Sequence, residues 1–272
     1  MVPQDKNINQ LRESTNFIIN SQIDAKNISF AAVYFRDLNN GPWFGINEKE
    51  YFSPASLIKV PLMMTYYKLA ESDPSILQKE IENIIPYDPS EQNIVPTNFL
   101  ELNKKYTVEQ LINQMIIYSD NVAYEILLSN IDNSLVYKTY QDLGVDISRA
   151  QLDPSGNIIR VKDYASFFRI LYNASYLNRN MSEKALSLLS QVIYNKGLNA
   201  KLPDNIKISH KFGERRYTST NEHQLHDCGI IYYPDNPYLL CIMTRGHDFN
   251  KLSSAIAQIS QSIYKEISTT KK

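Results

Sequence analysis

The stretch Pro54-Ala55-Ser56-Leu57-Ile58-Lys59-Val60-Pro61-Leu62-Met63 places a hydroxyl and an amine three residues apart at the predicted start of an apolar helix. Side chains at i and i+3 share one helix face, so the Lys59 amine can accept the proton of the Ser56 hydroxyl, provided that burial keeps the amine partly neutral. The N–H groups at a helix start also stabilise the negative charge that forms when a serine attacks a carbonyl. Ser56 and Lys59 are therefore a candidate nucleophile and base.

Two further short motifs follow the Ser-x-x-Lys pair in the chain. Tyr118-Ser119-Asp120-Asn121-Val122-Ala123 comes after an apolar helical stretch, and Lys211-Phe212-Gly213 ends a run that is typical of a strand. Ser-x-x-Lys alone is weak evidence, because a serine in the first turn of a helix is usually a cap. Three motifs in one order at domain-scale separations are strong evidence. They resemble S-x-x-K, S-D-N and K-T-G, the set found in class A β-lactamases and penicillin-binding proteins.

The chain thus resembles the penicillin-recognising serine hydrolases, and in particular their class A β-lactamase-like branch. The resemblance covers most of the chain, and only the termini and the segment between 70 and 105 fall outside it. It implies an α/β (α+β) fold of the β-lactamase/transpeptidase type, in which an antiparallel five-stranded sheet is flanked by N- and C-terminal helices and joined by an all-helical lobe. We expect a single domain, 1–272, with a sheet lobe at about 1–55 and 200–272 and a helical lobe at about 56–199.

Hydrophobic periodicity and turn residues predict the elements of this fold. Thr107, with Gln110 three residues on, resembles a capping box, and Pro61 is expected to bend or perturb the early turns of the helix after Ser56. Asp120 is expected to brace its turn through side-chain hydrogen bonds and to take no part in catalysis. The predicted helices are 8–23, 55–72, 107–119 and 249–267. The predicted strands are 28–37, 43–46, 206–212, 227–233 and 238–244.

The resemblance assigns catalytic roles to residues of the three motifs. Ser56 would attack an amide carbonyl and become acylated, while Lys59 would serve as its base or relay the proton. Ser119 would carry a proton to the leaving nitrogen with help from Lys59 and Lys211, because an amide nitrogen leaves poorly until it is protonated. The substrate implied is a β-lactam or a peptidoglycan peptide.

The resemblance also assigns substrate-binding roles. Asn121 would hold the side-chain amide of the substrate, and the Lys211 amine would attract its carboxylate. Gly213 completes the third motif, and the backbone N–H groups of Ser56 and Glu214 would form the oxyanion hole. Tyr118 is expected either to line the cleft or to pack at a helix end.

Two departures from the family pattern bear on the substrate and on turnover. Phe212 stands where the family has Thr or Ser, so a hydroxyl that would bind the substrate carboxylate is missing. Arg215 and Arg216 follow and could supply bidentate donors, although adjacent arginines after a strand more often lie on a solvated loop. The loop glutamate that activates the hydrolytic water, in a Glu-x-x-x-Asn pattern, has no counterpart in the stretch 151–157. Asp153 is a possible substitute, but Asp-Pro-Ser-Gly is also an ordinary turn sequence.

Three functions are compatible with these motifs. The first is a β-lactamase that hydrolyses β-lactam amide bonds through an acyl-enzyme on Ser56, with deacylation that could be slow. The second is a penicillin-binding-type D-alanyl-D-alanine peptidase or cell-wall amidohydrolase, which the missing glutamate favours. The third is a non-catalytic receptor for β-lactams or peptidoglycan. A nucleophile with two amine partners argues against the third, since a binding module does not need them.

Composition excludes several other classes. The 272 residues are 43% hydrophobic and 21% charged, enough for a substantial core, and the net charge of −1 leaves no basic surface for nucleic acid. No stretch approaches the ~20 apolar residues of a membrane span, and no Gly-rich phosphate loop suggests a nucleotide cofactor. His223 and His226 face opposite sides of a strand, which argues against a metal site, so no cofactor is expected.

The family resemblance also bears on location. Residues 1–6 lack the basic and apolar regions of a secretion signal. Because enzymes of the family act outside the cytoplasm, we nevertheless expect a periplasmic or extracellular protein after removal of a signal that this sequence does not contain. We expect a monomer.

The chain contains two cysteines, Cys228 and Cys241. A hairpin that turns over 234–237 and pairs Tyr233 with Tyr238 would make the cysteines diagonal neighbours on one face of the sheet. Diagonal neighbours lie ~7–8 Å apart, beyond comfortable disulfide reach. The sequence therefore predicts two buried free thiols.

Overall fold

The computed structural model describes residues 3–39, 41–148, 153 and 155–269. The α-helices are α1 (Pro3–Asp24), α2 (Lys59–Ala70), α3 (Val108–Ile117), α4 (Asn121–Ser129), α5 (Asn133–Asp142), α6 (Val161–Asn173), α7 (Arg179–Leu189) and α8 (Phe249–Thr269). Short 3-10 turns cover Ala55–Ile58, Pro74–Gln78 and Pro89–Glu91. The strands are β1 (Phe30–Asp37), β2 (Trp43–Ile46), β3 (Tyr51–Phe52), β4 (Glu80–Glu82), β5 (Lys105–Thr107), β6 (Ile159–Arg160), β7 (Ile208–Tyr217), β8 (Glu222–Ile231) and β9 (Tyr238–Gly246).

Five strands form one antiparallel sheet in the order β2-β1-β9-β8-β7. One hydrophobic core lies between the sheet and helices α1 and α8, and a second lies between the opposite face of the sheet and helices that include α2, α3 and α6. This arrangement confirms the predicted fold class. The lobe boundaries near 55 and 200 stay a prediction. Within the described residues, no helix is long and apolar enough to cross a membrane.

The segment directly before α2 is not part of a continuous α-helix, although the sequence predicts one helix over 55–72. Ala55–Ile58 forms a 3-10 turn, and the α-helix begins at Lys59. Pro61 has no N–H to donate to the carbonyl of Leu57, which a continuous α-helix would require. In α2 this proline lies in the first turn, where N–H groups have no partner within the helix. The perturbation expected from Pro61 therefore takes the form of the 3-10 turn that carries Ser56.

Strands β7 and β8 extend further toward the hairpin turn that joins them than the sequence predicts. They pair over ten residues, from Ile208 with Ile231 to Tyr217 with Glu222. Arg215 and Arg216 consequently lie on a strand and not on a loop, although both are exposed to solvent as expected. β7 is an edge strand of the sheet. Its backbone can therefore stay paired with β8 beyond the residues whose apolar side chains are buried.

The cysteine prediction is wrong, because Cys228 and Cys241 form a disulfide. Ile231, not Tyr233, pairs with Tyr238, and this difference of two residues in register sets the cysteines directly opposite each other. A tight turn in which Asn236 N–H donates to the Tyr233 carbonyl (3.0 Å) takes Tyr233 out of the ladder. Facing positions on adjacent strands are within disulfide reach, whereas diagonal positions are not.

The disulfide should contribute measurably to stability. Replacing both Cys228 and Cys241 by Ala is expected to lower the free energy of unfolding by about 3 kcal/mol, because the bond closes a loop in the unfolded chain. Guanidinium denaturation of the two proteins measures the difference. Reductant should destabilise the wild type and leave the double variant unchanged, which separates loss of the bond from loss of packing. Alkylation of both thiols without reductant would contradict the assignment.

Candidate active site

Ser56 and Lys59 lie within hydrogen-bond distance. Lys59 Nζ donates to Ser56 Oγ at 3.0 Å. Ala55, directly before the serine, has a φ of 47°, a left-handed conformation that is uncommon for a residue with a Cβ. Such local strain is found preferentially at functional sites, where the surrounding structure holds it in place. The turn that presents Ser56 is therefore held in a conformation that its own sequence does not favour.

Helices α3 and α4 position the second motif between them. The predicted capping box is present: Gln110 N–H donates to Thr107 Oγ1 (3.2 Å), and Thr107 N–H donates to Gln110 Oε1 (2.9 Å). Ser119 follows the end of α3 with a φ of 57°. Asp120 then caps α4, since its Oδ1 accepts from Ala123 N–H (3.1 Å) while Oδ2 accepts from Gln114 Nε2 (3.0 Å). These bonds of a buried carboxylate confirm the bracing contacts predicted for Asp120.

Two lysine amines converge on Ser119. Lys59 Nζ donates to the Ser119 carbonyl (2.6 Å) and Asn121 Oδ1 (2.7 Å), and lies 3.3 Å from Ser119 Oγ. Lys211 Nζ donates to Ser119 Oγ (2.8 Å) and to the Phe212 carbonyl (3.0 Å). Both lysine side chains are buried. The structure thus brings Ser56, Lys59, Ser119 and Lys211 into one hydrogen-bonded cluster.

Burial controls the charge of these amines. It lowers the pKa of Lys59 from 10.5 to about 7, against the opposing effect of the Asp120 and Glu214 carboxylates. Burial lowers the pKa of Lys211 well below its ordinary value, and the nearby Lys59 lowers it further. Near neutral pH a large share of Lys59 is therefore unprotonated and able to accept a proton from Ser56.

Gly213 allows the serine turn to approach β7. A Cβ at this position would lie 3.1 Å from both Leu57 N and the Pro54 carbonyl oxygen, closer than most side chains tolerate. The serine turn therefore packs directly against β7 at the residue before Glu214. An oxyanion hole made from the N–H groups of Ser56 and Glu214 stays a prediction.

Two contacts with the segment 92–94 were not predicted from the sequence. Buried Gln92 donates through Nε2 to the Ser119 carbonyl at 3.0 Å. The Glu214 carboxylate accepts from Asn93 N–H (2.8 Å), Asn93 Nδ2 (2.6 Å) and Ile94 N–H (3.1 Å). This segment lies outside the stretches that carry the sequence motifs, and no local pattern marked it.

Phe212 presents an aromatic ring where the family pattern has a hydroxyl. The buried ring stacks on Tyr194, with 4.2 Å between ring centroids. Lys211 Nζ lies 4.3 Å from the centroid of the Phe212 ring. Phe212, Tyr194 and Tyr118 also line one cavity of about 600 Å³. Tyr118 is in addition the C-cap residue of α3, so its placement in the catalytic cleft stays a prediction.

Arg215 makes its described contacts with residues other than those of the cluster. Its Nη1 donates to Ser53 Oγ (3.2 Å), and its guanidinium lies over the ring of Tyr217. Asp153 takes part in a turn, in which its carboxylate accepts from Ser155 N–H (2.9 Å) and its carbonyl from Gly156 N–H (2.9 Å). The remaining residues of the predicted deacylation stretch that precede Ser155, namely Gln151, Leu152 and Pro154, lie outside the described residues.

A serine hydrogen-bonded to a buried lysine, with a second serine held between two lysines beside a five-stranded antiparallel sheet, defines a serine hydrolase of the class A β-lactamase type. The family model described as "Beta-lactamase enzyme family" matches residues 15–267, and the chain belongs to this family.

Individual relatives are distant in sequence. The chain is similar to Beta-lactamase VEB-1 from Pseudomonas aeruginosa, with 22% identity over 238 residues that cover 80% of this chain and 77% of that protein. Among solved structures, TLA-1 extended-spectrum beta-lactamase matches with a TM-score of 0.80, 17% identity and coverage of 96% of this chain and 99% of that one. PBP-A matches with a TM-score of 0.77, 21% identity and coverage of 96% of each chain. At these identities the structural matches establish the shared fold.

The charge of Asp120 should tune the Lys59 amine. Asp120→Asn keeps a side-chain oxygen for the helix cap but removes a negative charge that favours the ammonium form. We therefore expect the pKa of Lys59 to fall below about 7 in this variant. Titration of isotope-labelled lysine amines by NMR measures the change. Glu125→Gln, on the exposed side of α4, is the control and should leave the value unchanged, whereas an equal shift in both variants would contradict a specific Asp120 effect.

Proposed function

We propose that this chain reacts with β-lactams to form an acyl-enzyme on Ser56 and that it releases the product slowly. The observation that carries the proposal is the hydrogen bond from the buried Lys59 amine to Ser56 Oγ, beside a Ser119 hydroxyl shared with Lys211. A nucleophile, its base and a proton carrier are thereby within reach of one reacting amide.

In the acylation step Lys59 acts twice, first as a base and then as a proton donor. Ser56 Oγ attacks the lactam carbonyl as its proton moves to neutral Lys59, and the oxyanion is stabilised by the N–H groups of Ser56 and Glu214. The C–N bond breaks as Ser119 Oγ gives its proton to the leaving nitrogen. Lys59 then returns a proton to Ser119, whose hydroxyl Lys211 holds in place. The product of this step is an ester on Ser56, and in a β-lactam the new amine stays attached to the acyl group through the opened ring.

Asn121 is suited to hold the acylamide side chain of the substrate. Its Oδ1 already accepts from Lys59 (2.7 Å), which fixes the orientation of the amide. Its Nδ2 group is then left to donate to a substrate carbonyl. The same bond links substrate binding to the position of the base.

Slow deacylation follows from what replaces the missing glutamate. The carboxylate of Asp153, the candidate substitute, accepts a hydrogen bond from Ser155 N–H within a turn. This supports the interpretation of Asp-Pro-Ser-Gly as a turn sequence and leaves the 151–157 stretch without a glutamate to activate water. An ester on Ser56 should therefore persist.

The same feature favours a penicillin-binding-type D-alanyl-D-alanine peptidase as a second function, with a peptidoglycan peptide as substrate. A point mutant of the structurally similar PBP-A is known as an acyl-enzyme complex with penicillin G. A non-catalytic receptor is the third alternative. Peptide turnover distinguishes the second function, and retention of all activity in Ser56→Ala would favour the third.

A periplasmic or extracellular location remains part of the proposal. The Cys228–Cys241 disulfide supports it, since disulfides persist mainly in oxidising compartments. We retain the expectation of a monomer, which size-exclusion chromatography with light scattering can check.

Intact-mass spectrometry after mixing with benzylpenicillin tests the proposal. We expect an adduct of the full mass of benzylpenicillin that persists for minutes or longer on wild type, and no adduct on Ser56→Ala. Rapid product with little adduct would contradict slow deacylation and indicate an efficient β-lactamase. An equal adduct on the Ser56→Ala variant would contradict Ser56 as the nucleophile.

The rate of acylation should depend on the protonation of Lys59. Only the neutral amine accepts the serine proton, so the second-order rate constant of acylation should fall about tenfold per pH unit below the Lys59 pKa of about 7 and level off above it. Stopped-flow or quenched mass measurements from pH 5 to 9 give the profile. A rate that is flat between pH 5 and 7 would contradict the role of Lys59 as base.

A further inference from the structure

The third motif, Lys211-Phe212-Gly213, lacks the hydroxyl with which the family pattern would hold a substrate carboxylate. Phe212 offers no hydroxyl, and its ring is buried against Tyr194. Lys211 already donates to Ser119 Oγ and to the Phe212 carbonyl, which occupies two of the three N–H bonds that a protonated lysine has. Little hydrogen-bonding capacity is left there for an anionic substrate group.

The arginines that could compensate are directed elsewhere. Arg215 donates to Ser53 Oγ and stacks over Tyr217. Arg216 is exposed, and its Nη2 lies 3.4 Å from Asn221 Oδ1 near the far end of the β7–β8 hairpin. Neither guanidinium contacts a residue of the Ser56 cluster in the described structure.

The protein instead places its own carboxylate next to this motif. Glu214 follows Gly213 on β7, and three hydrogen bonds fix its carboxylate on Asn93 and Ile94. These two residues line the same cavity as Phe212. The negative charge is close enough to favour the ammonium forms of Lys59 and Lys211. An anionic group of a substrate at this position would meet a fixed charge of the same sign.

The adjoining cavity of about 600 Å³ has mainly apolar and aromatic walls. Val95 and Ile193, which line it, are about half exposed to solvent, so an apolar ligand group would remove their surfaces from water. Lys196 is a cationic residue of the lining, on the side formed by 193–196. The apolar and aromatic wall residues include Ile94, Val95, Tyr118, Ile193, Phe212 and Phe249.

We propose that this chain prefers acyl donors whose leaving group carries no carboxylate and has an apolar substituent that enters the cavity, and that Glu214 and Phe212 set this preference. The inference rests on the proposed acylation of Ser56 and names the class of substrate for that site. Glu214 acts here through the charge of its side chain, in addition to the role proposed for its backbone N–H.

Benzylpenicillin and its methyl ester test the charge preference, because they differ only in the carboxylate. We expect the ester to acylate Ser56 at least as fast as the free acid, measured as the second-order rate of adduct formation by intact mass. Glu214→Gln should shift the ratio of the two rates about tenfold toward the free acid, as expected from removing a nearby charge. Glu80→Gln is the control. It removes an exposed charge on β4, outside the site, and should leave the ratio of the two rates unchanged.

The benzyl ester of the same penicillin tests the cavity. We expect it to react several-fold faster than the methyl ester, because its ring would be buried against the apolar walls. Ile193→Ser, which removes apolar surface without adding a charge, should lower the ratio of the benzyl-ester rate to the methyl-ester rate. Equal rates for the two esters on wild type would overturn the assignment of the cavity.

The charge preference is overturned if the free acid acylates the wild type at least tenfold faster than the methyl ester does. A Lys196→Gln variant that loses rate only with the free acid would show instead that Lys196 binds the carboxylate. If none of the three compounds acylates Ser56, the proposed function itself fails, which is a distinct result.

Discussion

The structure of the site depends on burying two lysine amines around one serine hydroxyl. The lowering of the Lys59 pKa from 10.5 to about 7 corresponds to about 5 kcal/mol of lost preference for the ammonium form. A buried amine is tolerated only where acceptors surround it. Ser56 Oγ, the Ser119 carbonyl and Asn121 Oδ1 supply those acceptors for Lys59, and Gln92 fixes the same carbonyl from its other side. The hydrogen bonds that make burial possible are thus also the ones that align the reacting groups.

These acceptors come from segments that are far apart in the chain. The backbone strain at two residues of these segments shows how firmly the segments are held. Ala55 and Ser119 both have left-handed backbone conformations, which cost of order 1–3 kcal/mol each. Packing of the serine turn against β7 at Gly213 and the capping of α4 by Asp120 offset that cost. The fold contributes rigid supports on both sides of the cluster: a sheet edge on one side and a helix junction on the other.

The sequence predicted the parts of the site that are encoded locally. The Ser56–Lys59 spacing and the capping box at Thr107 each depend on residues within one helical turn, and such patterns survive in any fold that contains the helix. The pairing of Cys228 required a choice between two registers of one hairpin, which the turn residues alone did not settle. Gln92 contacts Ser119 across 27 residues of sequence, and the Glu214 side chain contacts Asn93 across 121. No local sequence pattern predicts contacts at these separations. What remained unpredictable was therefore set by long-range packing rather than by propensity.

Phe212 and Glu214 together change what Lys211 can do. Two amines that share one buried hydroxyl cannot both be charged without strong repulsion, so the protonation of Lys211 is linked to that of Lys59. A hydroxyl in place of Phe212 would help Lys211 to hold an anion. Here the Lys211 amine contacts the Phe212 ring and donates to the Phe212 carbonyl. The Glu214 carboxylate supplies a negative charge nearby. Lys211 is consequently arranged to position Ser119, and the substrate preference that we propose assigns recognition to Asn121 and the apolar cavity.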